Sequence, residues 1–329
     1  MTYLDINLIA NIIDFDSTIL YNFLCVNKYI SIELLNNITF LCLPNNNELI
    51  DDNLKLFTRL KVLLLDNNHN ISNHGLQYIK NIHTLKLDSD KITDDGLKII
   101  HNIHNLSLKG CNITNNGLQY FNNIHTLDLY WNKTITDDGL KYLSKIHTLN
   151  LRSNENITDD GLKYLSDIHI LHLSSNYISN EGLKYLSKIH TLYLMDNDII
   201  NDYGLKYLSN IHTLCLPESN NITNNGLRNF NNIYDLSLNN NLITNIGLKY
   251  IKNIRKLYLG DNNKINDSGL KYLKNIHTLE LNDNTKITDN GLKYLKNTRT
   301  LNLNDNTNIT DNGLKYIPNI NELLRSPIK

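Results

Sequence analysis

The chain has 329 residues and a net charge of -1, from 32 basic and 33 acidic residues. That balance supplies no net field to draw it to nucleic acid or to an anionic membrane surface. No apolar run approaches the ~18 residues of a membrane span. The four cysteines, Cys25, Cys42, Cys111 and Cys215, form no CxxC pair and no regular framework, which reads as reduced thiols in an intracellular protein. The first ten residues carry Asp5 and no basic residue ahead of their apolar stretch, against the pattern of a secretory signal.

Residues 1–37 do not repeat. Leu4, Leu8, Ile9, Ile12 and Ile13 recur at helical spacing. Asp16 and Ser17 offer a cap for a second helix over 18–27, with Leu20, Phe23 and Leu24 inward, and a third short helix is expected over 29–35. The plainest role for such a segment is a hydrophobic cap on the end of a repeat array.

From residue 38 to 329 the chain is periodic. Twelve of its 14 glycines, Gly75 to Gly313, stand 21 or 22 residues apart. With a degenerate first unit at Leu41, Cys42 and Leu43, where Asn53 replaces the glycine, the expectation is about 13 repeats. Each unit opens with a short strand, such as Leu149, Asn150 and Leu151, whose alternation puts both leucines on one face. A turn comes next, carrying Asn154. Asn recurs there in ten of 13 units, so stacked amides should form a ladder, with Asp90, Cys111 and Ser219 as weaker members. The unit ends in a brief helix, part of it expected to be 3₁₀. Thr158 is its N-cap, Asp159 and Asp160 favour its positive end, and Leu162 and Leu165 face inward. A lone unit cannot offset the entropy of ordering ~22 residues at ~1.5 kcal/mol each, so the units must stack.

The Leu-x-Leu-x-x-Asn strand and turn resemble the leucine-rich-repeat family over about residues 38–320. The Ile-Thr-Asp-Asp-Gly-Leu segments at 135–140 and 157–162 are similar to the subclass common in F-box proteins, although these units are shorter. The resemblance implies an α/β fold: a leucine-rich-repeat solenoid, a curved horseshoe with parallel strands on its concave face and short helices on its convex face. Residues 1–37 resemble an F-box. Ile12 and Ile13, then Phe15 and Asp16, then the run from Leu24 to Tyr29 fall in its order and spacing. The opening Leu-Pro is absent, and Tyr29 stands where Trp is usual. That resemblance implies contacts from Leu8, Ile12, Ile13, Val26 and Tyr29 to an adaptor subunit of an SCF-type ubiquitin ligase. The chain would be a non-catalytic substrate receptor; the alternative is an interaction scaffold whose N-terminal helices are only a cap. The richness in Asn, Ile, Lys and Tyr resembles the repeat proteins of giant DNA viruses, which would place it in a host-cell cytoplasm.

Stacking turns periodicity into columns. Eight of the 12 histidines share one: His83, His104, His125, His147, His169, His190, His212 and His277, with Tyr234, Arg255 and Arg299 substituting. Repeat duplication of a half-exposed position explains it better than metal or proton chemistry. A tyrosine column on the helices, Tyr78 to Tyr316, reads as packing. Binding should show where repeats differ, and the outward strand positions differ most. Tyr130, Trp131 (the only tryptophan), Arg152, His172, Tyr193 and Met195 are expected to make a partner-binding patch on the concave face, since aromatic side chains, Arg and Met mark interface hot spots. Asp196, Glu218, Asp261, Asp283 and Asp305 form an acidic row whose plainest reading is a solvated edge. No nucleophile elbow, phosphate loop or ligand-spaced cysteine set occurs. The chain is therefore read as binding a protein substrate, with no enzyme activity, no cofactor or metal, and no nucleic-acid or membrane partner.

Overall fold

The computed structural model describes residues 35–324, apart from 44–46, 122, 175–176, 217–220, 238–241, 259–261, 263, 281, 283 and 305. The F-box-like positions Leu8, Ile12, Ile13, Val26 and Tyr29 lie outside the described residues, as do Asn46, Asn176, Asn241 and Ser219 of the turn column.

Among the described residues fourteen short strands follow one another in sequence order, and within each unit neighbours pair parallel. The chain divides into two compact units, Met1–Asn156 and Ile157–Lys329. The first holds β1 (Phe40–Cys42), β2 (Val62–Leu65), β3 (Thr84–Leu87), β4 (Asn105–Ser107), β5 (Thr126–Asp128) and β6 (Thr148–Leu151). The second holds β7 (Ile170–Ser174), β8 (Thr191–Met195), β9 (Thr213–Cys215), β10 (Asp235–Ser237), β11 (Lys256–Tyr258), β12 (Thr278–Glu280), β13 (Thr300–Asn302) and β14 (Glu322–Leu324). The register places leucine on leucine, as in Leu63↔Leu85 and Leu192↔Leu214. This is one strand more than the repeat count predicts. β14 pairs Leu323 with Leu301, but no glycine-bearing segment comes after it to mark it in the sequence.

Each repeat contributes one layer of core. Ile189, Leu192, Leu194, Ile200, Leu205 and Leu208 are all buried, and the same six positions recur through both units. Their spacing, period two in the strand and three to four in the helical turn, turns both segments toward one interior. The helical piece is a four-residue α turn, often continued as 3₁₀, as in Asp202–Leu205 and Lys206–Leu208. Twenty-two residues must supply a strand, two turns and a helix, which leaves room for little more.

The buried asparagines form the expected ladder. Asn68 Nδ2 donates to the Leu49 carbonyl of the preceding repeat at 3.0 Å, while its Oδ1 accepts from Asn70 N at 2.9 Å and Ile71 N at 3.1 Å. Asn197 repeats this toward Ile178, Ile199 and Ile200. One position departs from the sequence reading. Ser89, not Asp90, takes the place of asparagine in its repeat: it is buried and donates to the Ile71 carbonyl at 2.8 Å, while Asp90 is exposed. Five residues separate Leu87 from Ile92, where six separate Leu65 from Ile71, so the shorter turn advances the inward position by one. Cys111 is a weak member of the series, its Sγ 3.9 Å from the Leu87 carbonyl, and burial pushes its thiol up to about 11. Asn68→Ala should therefore destabilise the chain by about 2–4 kcal/mol and Ser89→Ala by about 1–2 kcal/mol, with Asp90→Ala within about 0.5 kcal/mol of wild type. Equilibrium denaturation ranks the three; a larger loss for Asp90→Ala than for Ser89→Ala would refute the reassignment.

A second ladder runs along the helices and explains the glycines. The first residue of each helical turn is Asp or Asn, and it reaches into the next repeat rather than only facing its own helix end. Asp159 Oδ1 accepts from Ser179 N at 2.8 Å and Oδ2 from Ser179 Oγ at 2.5 Å. Asp202 does the same to Thr223, and Asp289 to Thr310. Where the residue is Asn, the hydroxyl's role reverses: Asn115 Nδ2 donates to Thr136 Oγ1 at 2.8 Å, and Thr136 then makes no cap bond to its own helix. The glycine three residues beyond each cap residue leaves the space for this contact. A Cβ on Gly182 would stand 2.1 Å from Asp159 Oδ1, and one on Gly117 would stand 2.4 Å from Asp94 Oδ1.

The tyrosine column is a correction. It lies outside the core: Tyr142, Tyr294 and Tyr316 are exposed and most others half-buried. Lysines cover the rings instead, with Lys141 Nζ 5.1 Å from the Tyr142 centroid and Lys184 Nζ 5.0 Å from that of Tyr185. No helix among the described residues is long and apolar enough to cross a membrane.

Candidate protein-binding surface

The strand positions that point away from the core divide between the two units. In the first, β5 leads into a tight turn at Tyr130 and Trp131. Asp128 Oδ1 accepts from Tyr130 N at 3.0 Å, which bends the chain directly after the strand. Trp131 then adopts a φ of 63°, and its N–H donates to the Arg152 carbonyl at 3.2 Å. The same left-handed position is held by Asn67, Gly110 and Ser153 in other repeats of this unit. Asparagine and glycine tolerate positive φ; tryptophan does not, and the conformation costs it about 1–2 kcal/mol. Trp131 is 57% exposed, so more than half of the residue faces solvent.

The Tyr130 and Trp131 rings lie nearly parallel, 5.5 Å apart and 10° off coplanar. Lys109 of the preceding repeat holds its Nζ 5.0 Å from the Tyr130 centroid and 5.9 Å from that of Trp131. Its cation marks the rings as an electron-rich face. Arg152 is half-buried in the next repeat, its N–H donating to Asn150 Oδ1 at 3.1 Å. Tyr130, Trp131 and Arg152 are thus brought together, and Lys109 is the member that the sequence reading missed.

In the second unit, β7 and β8 are the longest strands, at five residues each. Their register sets His172 beside Tyr193 and Ser174 beside Met195. The His172 and Tyr193 rings stack at 4.3 Å and 9°. Met195 Sδ is 3.8 Å from Cys215 Sγ on β9, and Ser174 Oγ donates to Asp196 Oδ2 at 2.6 Å. His172, Tyr193 and Met195 are therefore adjacent, with Cys215 as an unpredicted neighbour. Further along the same face, burial raises the carboxyls of Asp235 and Glu280 and the phenol of Tyr258. Of the predicted acidic row, only Asp196 lies among the described residues.

Within each unit the rings of the histidine column stack. His83, His104, His125 and His147 succeed one another at ring separations of 4.9, 4.9 and 4.4 Å; His169, His190, His212 and Tyr234 at 4.6, 4.5 and 4.7 Å. His125 and His190 each set Nδ1 against the hydroxyl of the adjoining threonine, at 3.2 and 3.1 Å. The lone pairs of stacked parallel rings do not converge on one point, so neighbours in this geometry cannot share an ion. No metal-holding group of three His, Cys, Asp or Glu exists among the described residues. Burial, then His212 and His169, lowers the affinity of His190 for a proton.

The leucine-rich-repeat family profile matches residues 101–121, 122–144, 142–166, 167–187, 250–274, 272–296 and 299–317. No curated protein matches this sequence. Among solved structures, the chain is similar to an internalin, InlF, of Listeria monocytogenes, with 22% identity and a TM-score of 0.66 over 93% of this chain and 92% of that one. It is similar to a chain of the Rad7 and Elc1 complex of yeast, with 18% identity and a TM-score of 0.59 over 98% and 91%. A chain of the TLR13–ssRNA13 complex gives 18% and 0.64, over 89% of this chain and half of that longer one. At these identities the likeness is one of fold. The seven matched segments, the parallel strands with short helices and the shared architecture agree: the fold is that of leucine-rich repeats, which indicate a protein–protein interaction module.

Proposed function

We propose that the outward strand face binds a protein partner, with Trp131 as an anchor and Tyr130 and Arg152 beside it in the first unit, and with His172, Tyr193 and Met195 forming the contact of the second. The observation that carries this is Trp131: a large aromatic side chain, 57% exposed, on a backbone conformation that disfavours it. Part of the ring stacks on Tyr130, and the exposed part offers the kind of aromatic surface that anchors an interface.

The finer proposal is that the bound protein is a substrate and the chain a receptor subunit of an SCF-type ubiquitin ligase, working in the cytoplasm, that of a host cell on the resemblance of its composition to viral repeat proteins. Two things support it. The order of Ile12, Ile13, Phe15, Asp16 and the Leu24 to Tyr29 run resembles an F-box. The similar yeast structure is a two-protein complex, of Rad7 with Elc1. The test is a pull-down of the SCF adaptor subunit by the full chain. Binding is expected, and loss of at least about tenfold in Ile12→Asp and Val26→Asp with the repeats still folded, because a charge at a buried contact costs a few kcal/mol. A folded full chain that retains no adaptor ends the ligase role and leaves the strand-face reading standing.

A further inference from the structure

The loops that lead from each helix into the next strand change character in the last repeats. In the second unit the position three before the histidine column is Ser166, Ser187, Ser209 and Asn231, and then Lys252, Lys274 and Lys296. The column itself changes in step, from stacked imidazoles to Arg255, His277 and Arg299. Backbone bonds set these three on consecutive rungs: His277 N donates to the Arg255 carbonyl at 2.8 Å, and Arg299 N to the His277 carbonyl at 2.8 Å. All three lysines and Arg299 are exposed. None of these five cations makes an ion pair among the described residues, where the six ion pairs lie elsewhere. Segments 252–256, 274–278 and 296–300 hold no acidic residue, and Lys256 beside Arg255 pairs with Asp235 of the neighbouring strand. Arg255 Nη1 is tied to the Asn275 carbonyl at 2.7 Å, which fixes one guanidinium beside the imidazole.

A surface depression opens at this rim, lined by His277, Arg299 and the amides of Asn297, Asn319 and Asn321. Asn297 Nδ2 donates to the Lys274 carbonyl at 2.8 Å, so the lining is held in place by the loops it joins. His277 titrates below the ordinary imidazole range, from burial first and then from Arg255 and Arg299 on either side.

We propose that the rim formed by Arg255, His277 and Arg299, with Lys252, Lys274 and Lys296 behind it, is an oxyanion site that takes the phosphate monoester of a phosphorylated side chain on the protein partner. Two guanidinium groups flanking an imidazole match a compact dianion, and guanidinium groups bind phosphate through paired, charge-assisted bonds. Arg255 and Arg299 stand two strand spacings apart along the rim, about 10 Å, with His277 between them. The site rests on the reading that the chain binds a protein, yet it can be assayed without any partner.

The test is calorimetric titration of the full chain with inorganic phosphate, with a short neutral peptide bearing one phosphoserine, with its unphosphorylated form and with a single-stranded oligonucleotide. Saturable binding of phosphate and of the phosphopeptide is expected, with none of the unphosphorylated peptide. Arg299→Gln and Arg255→Gln should each weaken both at least about tenfold. Lys188→Gln, on another loop, should leave binding unchanged, and all three variants should keep the wild-type unfolding midpoint. Binding of the phosphopeptide should also raise the His277 pKa, read by NMR. Absence of saturable phosphate binding, equal affinity in Arg299→Gln, or equal affinity for the unphosphorylated peptide overturns the site. Oligonucleotide binding that exceeds the phosphopeptide and grows with length overturns the partner class. None of these outcomes bears on Trp131 or on the adaptor, so failure here is distinct from failure of the function proposed above.

Discussion

Trp131→Asn is expected to stop the protein binding its partner at little cost in stability. Asn67 holds the equivalent turn position with a φ of 55°, so asparagine is already shown to serve there. The substitution relieves the left-handed strain on a bulky residue, worth about 1–2 kcal/mol, and gives up the covered part of a residue that is 57% exposed together with its stack on Tyr130, a loss of similar size. The Trp131 N–H bond to the Arg152 carbonyl is a backbone contact and survives. Denaturant unfolding should therefore shift by no more than about 1 kcal/mol. Partner retention should fall at least about 30-fold, the ~2 kcal/mol typical of a lost hot-spot aromatic side chain. Lost binding with stability kept is the signature of a residue kept for recognition. If Trp131→Asn loses more than about 2 kcal/mol of stability, the ring is a packing element with Tyr130 and Lys109, and the strand-face proposal loses its anchor.

Gly182→Ala should destabilise the second unit by about 3 kcal/mol although alanine is the better helix former. The added Cβ would sit 2.1 Å from Asp159 Oδ1, and that carboxylate is pinned by two bonds to Ser179. Moving it aside breaks both, and bonds to a charged group contribute about 1.5–3 kcal/mol each. Asp159→Ala alone removes the same bonds from the other side. The double variant should therefore be no worse than Asp159→Ala, giving a coupling of about 3 kcal/mol in a double-mutant cycle. Additive losses would mean that the glycine is needed for some reason other than the clamp. Gly110 makes a contrast: it holds a φ of 64° with nothing within 4 Å of a built Cβ, so its requirement is conformational rather than steric.

What was legible in the sequence was whatever each repeat states in its own residues. The glycine period, the paired leucines of the strand, the Ser, Thr or Asn caps and the brevity of the helices derive from side-chain type at fixed spacing, and the fold derives from them. The asparagine ladder was legible too, because one residue type recurs at one offset. So was the grouping of Tyr130, Trp131 and Arg152, and of His172, Tyr193 and Met195, since parallel register converts equal offsets into neighbours.

What only the tertiary structure decided lies between repeats. Counting forward from the strand assigns Asp90 to the ladder, but the core isoleucine fixes the turn from its far end, and the shorter turn puts Ser89 inside. Acidic residues at a helix start look complete as dipole partners, so the reach of Asp159 to Ser179 leaves no trace in its own repeat. The tyrosines have core-like periodicity yet stand outside, because the leucines beside them already fill the layer. The strained backbone of Trp131 and the unpaired cations around His277 likewise depend on which carbonyl or carboxylate the next repeat supplies. A periodic sequence determines its repeat; the registration of one repeat on another is a matter of distances through space, and those distances select the residues that are free to bind.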